Sequence, residues 1–190
     1  MFSLSRRCGR SSGERPRTSA KTPMRITGLP PIARPDARVL ILGSMPGSTS
    51  LAARRYYVGP GNRFWEVMGS LFAIDPALRY DERVTLLQEA GVALWDVIAS
   101  CERVGSLDSR IVKGSEVAND FHSFLTEHPT IRAAVLNGQK AHDVFRTGVG
   151  ARVLSDHSVE LIALPSSSGA NTRFTSEALT VRWREIVAYV

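Results

Sequence analysis

The stretch Arg38-Val39-Leu40-Ile41-Leu42-Gly43-Ser44-Met45-Pro46-Gly47-Ser48-Thr49-Ser50-Leu51 decides the reading of the fold. Residues 39–42 are an aliphatic, partly β-branched run that stops at Gly43, a Pro-Gly pair and three hydroxyl residues. A short apolar run bounded by turn formers suits a strand buried on both faces. In open α/β sheets, ligands bind in the crevice beyond the carboxyl ends of the strands. The loop that follows residue 42 is therefore the expected place for a site. It fits neither G-x-G-x-x-G nor the phosphate-loop pattern, because no Lys follows it. That absence demotes dinucleotide and ATP sites.

Three further apolar runs, residues 92–97, 132–136 and 160–164, read as buried strands. Helical patterns fall between and after them, at 62–72, 81–90, 115–127, 139–146 and 176–189. Strands alternating with helices predict a three-layer α/β/α sandwich around a central four-stranded parallel sheet. Each run exits into polar or loop-forming residues. If the strands are parallel, Asn62, Asp96, Asn137 and the Ser/Asn-rich segment 165–171 converge on one rim of the sheet.

A chain of 190 residues is one domain by size and long enough to bury a sizeable core. The net charge of +6 lies wholly in residues 1–25, where seven basic side chains face Glu14 alone. The rest of the chain is neutral, so the high isoelectric point does not by itself make the core a nucleic-acid binder. Residues 1–24 read as a disordered basic tail and residues 25–190 as the catalytic domain. The tail could be an arm on DNA or an organelle transit peptide. The preferred expectation is that Met24 is the true first residue. Cys8 and Cys101 form no framework, which sets a reducing compartment, the cytoplasm, as the expectation. No apolar run reaches membrane-spanning length, and no membrane partner is expected.

Elimination narrows the chemistry. A zinc deaminase needs H-x-E with P-C-x-x-C, and a serine hydrolase elbow needs G-x-S-x-G; neither occurs. The four histidines stand outside the strand-end segments, without metal-ligand spacing. No metal or cofactor is expected. What is left is a site of amides, hydroxyls and backbone N–H groups with one carboxylate. Such a site suits N-glycosidic cleavage, in which the sugar becomes an oxocarbenium ion and water needs placement more than a strong base.

The segments Gly43-Ser44-Met45-Pro46-Gly47, Tyr56-Tyr57 with Pro60-x-Asn62-Arg63-Phe64-Trp65, and Leu164-Pro165-Ser166-Ser167-Ser168 together resemble the uracil-DNA glycosylase superfamily. The hypoxanthine (deoxyinosine) DNA glycosylase branch is the most similar. Gly91 to Asp96 and Asn137-Gly138-Gln139-Lys140-Ala141 fit that branch as well, so the resemblance covers roughly residues 25–190. It implies a monofunctional repair enzyme that flips a deaminated base from DNA and hydrolyses its glycosidic bond, acting as a monomer.

The resemblance also implies roles. Gly43, Pro46, Gly47 and Ser48 would form the water and sugar-phosphate loop. Ser44 stands where other branches hold a catalytic Asp or Asn, so the amide is expected from Asn62. Tyr57 or Phe64 would stack on the flipped base. Asp96, where uracil-specific relatives place an Asn, would accept N1–H of hypoxanthine. Asn137 would donate to O6 or position water. Pro165, Ser166, Ser167 and Ser168 would pinch the phosphate backbone and fill the vacated stack. Leu164 and Gly59 replace histidines of relatives, so no electrophilic help from His is expected. Neither Lys113 nor Lys140 suits a Schiff base.

Plainer readings stand beside these. Asn62 also reads as the cap of the helix that follows it, and Asn137-Gly138 as a turn and helix cap. Asp96 could pair with an Arg, and the aromatics near residue 60 could all be core. Alternative functions are a mismatch-type uracil-DNA glycosylase, a catalytically silent damaged-DNA binder, and a hydrolase outside nucleic acids that uses the Ser-rich loop.

Overall fold

Alternate residues of a strand face opposite sides of its sheet, and the two faces of the central sheet here carry separate apolar cores. Val39 and Ile41 pack into one core, Leu40 and Leu42 into the other. The structure is a computed structural model and describes residues 22–148 and 150–190. The tail expectation for residues 1–24 falls almost wholly outside that range.

The central sheet has four parallel strands: β2 (Val39–Gly43), β3 (Val92–Asp96), β6 (Ala133–Asn137) and β7 (Glu160–Leu164), in the order β3-β2-β6-β7. Every residue of β2, β3 and β6 is buried, as expected for parallel strands covered on both faces. Helices α2 (Phe64–Phe72), α3 (Tyr80–Glu89) and α7 (Ser176–Trp183) cover one face through Phe64, Met68, Leu87 and Trp183. The other face is covered by α4 (Phe121–Glu127), α5 (Gln139–Thr147) and α6 (Gly150–Asp156), with Phe124, Phe145 and Leu154 prominent. The three-layer α/β/α sandwich is as expected.

A second sheet was not legible. Strands β1 (Met24–Thr27), β4 (Ile98–Arg103) and β5 (Val117–Ala118) form an antiparallel sheet in the order β1-β4-β5. The chain leaves β3 at Asp96 and enters β4 after Val97 alone. Met45, Ile98, Cys101 and Ile111 form a small third core between this sheet and the first loop.

The helix read over 115–127 shortens to α4. Val117 and Ala118 pair with β4, and the Asp120 side chain caps α4 by accepting the Ser123 N–H at 3.0 Å. The helix read over 176–189 turns from α to 3-10 geometry at Arg184. The short α1 (Ser48–Ala53) also went unread, because its six residues carry no periodicity.

Candidate active site

The carboxyl ends of the parallel strands open onto a cleft of about 510 Å³. Ser44, Tyr57, Asn62, Asp96, Asn137 and the residues 166–168 all line it. So do Gly43, Pro46, Gly47 and Ser48. Two expected residues do not. Phe64 is fully buried behind the wall, and Pro165 lies beneath the rim, its carbonyl accepting the Trp183 indole N–H at 3.0 Å.

One side of the cleft is a neutral hydrogen-bonded chain. The Asn137 side chain donates from Nδ2 to Ser167 Oγ at 3.0 Å, and its Oδ1 accepts the Ser167 backbone N–H at 2.8 Å. Ser167 Oγ in turn donates to Asn62 Oδ1 at 3.2 Å, and the same oxygen accepts the Phe64 N–H at 3.0 Å. A backbone N–H can only donate, so the atom facing Phe64 must be the amide oxygen. Asn62 therefore both caps the turn into α2 and lines the cleft; the two readings are compatible. Arg63 clamps this side by donating to the carbonyls of Ser168, Asn171 and Phe174.

Gly138 makes the juncture possible. It has φ +97°, and a Cβ there would come within 2.6 Å of Ser166 Cβ. The chain thus turns from Asn137 into α5 directly beneath the serine loop.

Tyr57 forms an aromatic wall. Its ring stacks on Phe64 at 3.9 Å between centroids with 19° between planes. Its backbone is left-handed, with φ +60°, a conformation that costs a non-glycine residue roughly 1–2 kcal/mol. Strain of this kind clusters where a side chain must be aimed. Tyr56 and Trp65 are core residues, with the Trp65 indole donating to the Tyr56 carbonyl at 3.2 Å.

The other side of the cleft is charged. Asp96 ends β3 opposite Gly43 in the parallel register and is only 3% exposed. A Cβ on residue 43 would strike its carboxylate, so the glycine leaves room for Asp96 in its present position. Asp96 Oδ2 is buried without a partner among the described residues. Burial, reinforced by the charge of Asp108, pushes its carboxyl up to about 8.

Sequence reasoning missed three residues on this side: Ser106 and Asp108, which line the cleft, and Arg103, buried beside the first loop. Arg103 ends β4, is buried, and donates from Nη2 to the Pro46 carbonyl at 2.6 Å. The Ser106 hydroxyl bonds the Ser48 hydroxyl and accepts the Ser48 N–H at 3.1 Å. Asp108, in a 3-10 turn (Asp108–Arg110), accepts the Ser44 hydroxyl at 2.5 Å. The segment 103–108 thereby straps the first loop at three points. Its sequence signal was a run of Gly, Ser and Asp behind a strand too mixed to be recognised.

Among the described residues no group of His, Cys, Asp and Glu could hold a metal ion, and no helix is long and apolar enough to cross a membrane.

Comparisons with known proteins bear on this geometry. The model of the uracil DNA glycosylase superfamily matches residues 30–187. The chain is 36% identical over 149 residues to the hypoxanthine DNA glycosylase of Methanosarcina acetivorans, covering 78% of this chain and 89% of that one. It is 34% identical over 151 residues to the hypoxanthine DNA glycosylase of Methanosarcina barkeri, covering 79% and 90%. A solution structure from Methanosarcina acetivorans, described as a candidate uracil DNA glycosylase, superposes with a TM-score of 0.70 at 31% identity, over 86% of this chain and 99% of that one. The strand-end cleft, the Gly43 loop and the serine loop thus sit in a chain that belongs to the uracil DNA glycosylase superfamily.

Proposed function

We propose that this chain is a monofunctional DNA glycosylase of base-excision repair that hydrolyses the N-glycosidic bond of a flipped deaminated base, with hypoxanthine as the main substrate. One observation carries the reading: Ser44, Tyr57, Asn62, Asp96 and the serine loop line a single cleft, in a chain about one-third identical to two hypoxanthine DNA glycosylases.

An extruded base is held by stacking and by hydrogen bonds to its pairing edge. Tyr57, backed by Phe64, supplies the aromatic face. Asp96 supplies the edge contact. With its carboxyl at about 8, Asp96 is neutral at pH 7. The expected ionised acceptor is therefore a neutral acid, with one O–H donor and one carbonyl acceptor. That pair complements the O6 and N1–H of hypoxanthine. It also complements the N3–H and carbonyl of uracil, so base size and the cleft wall must provide the ranking.

Asn62 offers its Nδ2 to the cleft, since Oδ1 is engaged, and fixes the nucleophile or the sugar. The rims, Pro46 to Ser48 on one side and Ser166 to Ser168 on the other, hold the flanking phosphates through hydroxyls and backbone N–H groups. With a neutral core, affinity for undamaged duplex should be modest and salt-sensitive.

The test is base release from oligonucleotides carrying a single deoxyinosine, deoxyuridine or deoxyxanthosine, read as strand scission on a gel after alkali. The expected result is alkali-dependent scission, fastest at deoxyinosine, with none before alkali. Binding to the damaged strands with no base release would make the chain a silent damage binder and end the proposal. Faster scission at deoxyuridine would move it to a uracil-type enzyme.

A further inference from the structure

Attack of water on C1′ releases a proton, and the amides and hydroxyl of the neutral wall include no base that could keep it. Asn62 Oδ1 already accepts from Phe64 N–H and Ser167 O–H, and Asn137 Oδ1 accepts from Ser167 N–H. The Ser167 hydroxyl proton is spent on Asn62. Asn62 Oδ1 is thus fully engaged, and an amide oxygen such as that of Asn137 can accept a hydrogen bond but is too weak a base to keep a proton. Across the cleft the situation is reversed. Ser44 directs its single hydroxyl proton to Asp108 Oδ2 at 2.5 Å, leaving the Oγ lone pairs free to accept.

We propose that Asp108, acting through Ser44, is the proton acceptor for the attacking water. The water oxygen forms the bond to C1′ as the C1′–N bond of the base breaks, and the electron pair of that bond leaves with the base. The water proton passes to Ser44 Oγ, and the Ser44 hydroxyl proton passes to Asp108. Asp108 ends as the neutral acid, and the departing base takes a proton from solvent. As a carboxylate lining the cleft, Asp108 also offers a counter-charge to the oxocarbenium ion. This inference rests on the glycosylase reading.

Asp108 is built into place rather than left on a free loop. Arg103 and Ser106, on the same segment, hold Pro46 and Ser48, the residues that follow Ser44 in the first loop. The groups that set its proton affinity come from three other elements: Asp96 from β3, Arg103 from β4, and Lys140 from α5, itself paired with Glu116 at 2.8 Å. Burial raises the Asp108 carboxyl; the Ser44 hydrogen bond and the charges of Arg103 and Lys140 pull it down, and burial wins. A carboxylate whose proton affinity is raised is a better base, and it stops accepting protons as the pH falls and it becomes protonated itself.

The experiment measures single-turnover base release from a deoxyinosine oligonucleotide across pH, with enzyme-free depurination subtracted. It compares wild type, Asp108→Asn, Ser44→Ala and the double variant. Binding to a 2′-fluorinated deoxyinosine strand that resists cleavage, and thermal melting, are measured in parallel. Asn at residue 108 keeps an acceptor for Ser44 but cannot take a proton. The expected loss at neutral pH is about 100-fold or more, with binding and melting unchanged and the acid-side decline of the wild-type rate abolished. The double variant should be no slower than Asp108→Asn, because the two residues act as one unit. A rate within threefold of wild type, or an acid limb that persists in Asp108→Asn, overturns the proposal. If that variant fails to fold, Ser44→Ala decides: a wild-type rate and acid limb there overturn the relay equally. Wild-type protein that releases no base would instead overturn the glycosylase reading itself.

Discussion

The two walls of the cleft are made of different chemistry. On the wall of Asn62, Asn137 and Ser167, both amide oxygens and the serine hydroxyl are hydrogen-bonded within the protein. On the side of Ser44, Asp96 and Asp108, backed by Arg103, three buried polar atoms have no partner among the described residues, Asp96 Oδ2 and Arg103 Nε and Nη1, against Arg63 Nε on the first side. A satisfied network gives rigidity, whereas an orphaned buried polar group costs about 1–3 kcal/mol and calls for a reason. The neutral wall therefore reads as the frame that holds the pocket open. The charged wall is where protons are held and moved.

Four substitutions can break or sharpen that contrast. The largest effect is expected at the frame's one catalytic contact. Asn62→Ala should slow base release by two decades or more, about 3 kcal/mol on the barrier, measured in single turnover. An unchanged rate would remove Asn62 from the mechanism and leave the neutral wall purely architectural.

Gly138→Ala comes next. It places a side chain on Ser166 in a backbone region that disfavours one, so stability should fall by about 2 kcal/mol or more. Chemical denaturation would read it. A variant as stable as wild type would mean the serine loop is free to shift.

Ser167→Ala should cost about 1–2 kcal/mol of stability and about tenfold in rate, because the Asn137 amide loses its acceptor and Asn62 its second donor. If melting falls while the rate does not, the brace serves folding alone.

The effect at Asp96 is read on stability against pH, and it has a sign. Its carboxyl titrates at about 8 in the fold, against an ordinary value of 3.8. Between those values the folded protein keeps a proton that the unfolded chain has lost, so stability falls as pH rises through this window and is flat above it. Asp96→Asn removes the slope. The variant should melt above wild type near pH 8, with the gap closing toward pH 4. A gap independent of pH would mean that Asp96 is ionised in the fold.

Legibility differed between the regions for a physical reason. Strands β2, β3 and β6 are buried on both faces, so nearly every residue is apolar and the run announces itself. Strand β4 is Ile-Ala-Ser-Cys-Glu-Arg with an irregular burial pattern, and β1 is mostly exposed. Neither offers a period to detect, and Arg103 and Asp108 were lost with them. Phe64 and Tyr57 were indistinguishable as base platforms because both are aromatics in one motif. Packing placed Phe64 at 0% exposure and turned Tyr57, through a left-handed backbone, onto the cleft.

Apolar patterning determined the strands and the rim to which they deliver their loops, and the motifs along that rim carried the family resemblance. Those properties are local: each follows from a few neighbouring residues and the turn that ends them. Tertiary structure decided which end of the Asn62 amide is free, that burial pushes the Asp96 carboxyl up, and that Ser44 has a carboxylate partner. Each depends on contacts between residues far apart in the chain, 105 positions for Asn62 with Ser167 and 64 for Ser44 with Asp108. Proton affinity and amide orientation are set by what surrounds a group, and only the folded chain brings those surroundings together.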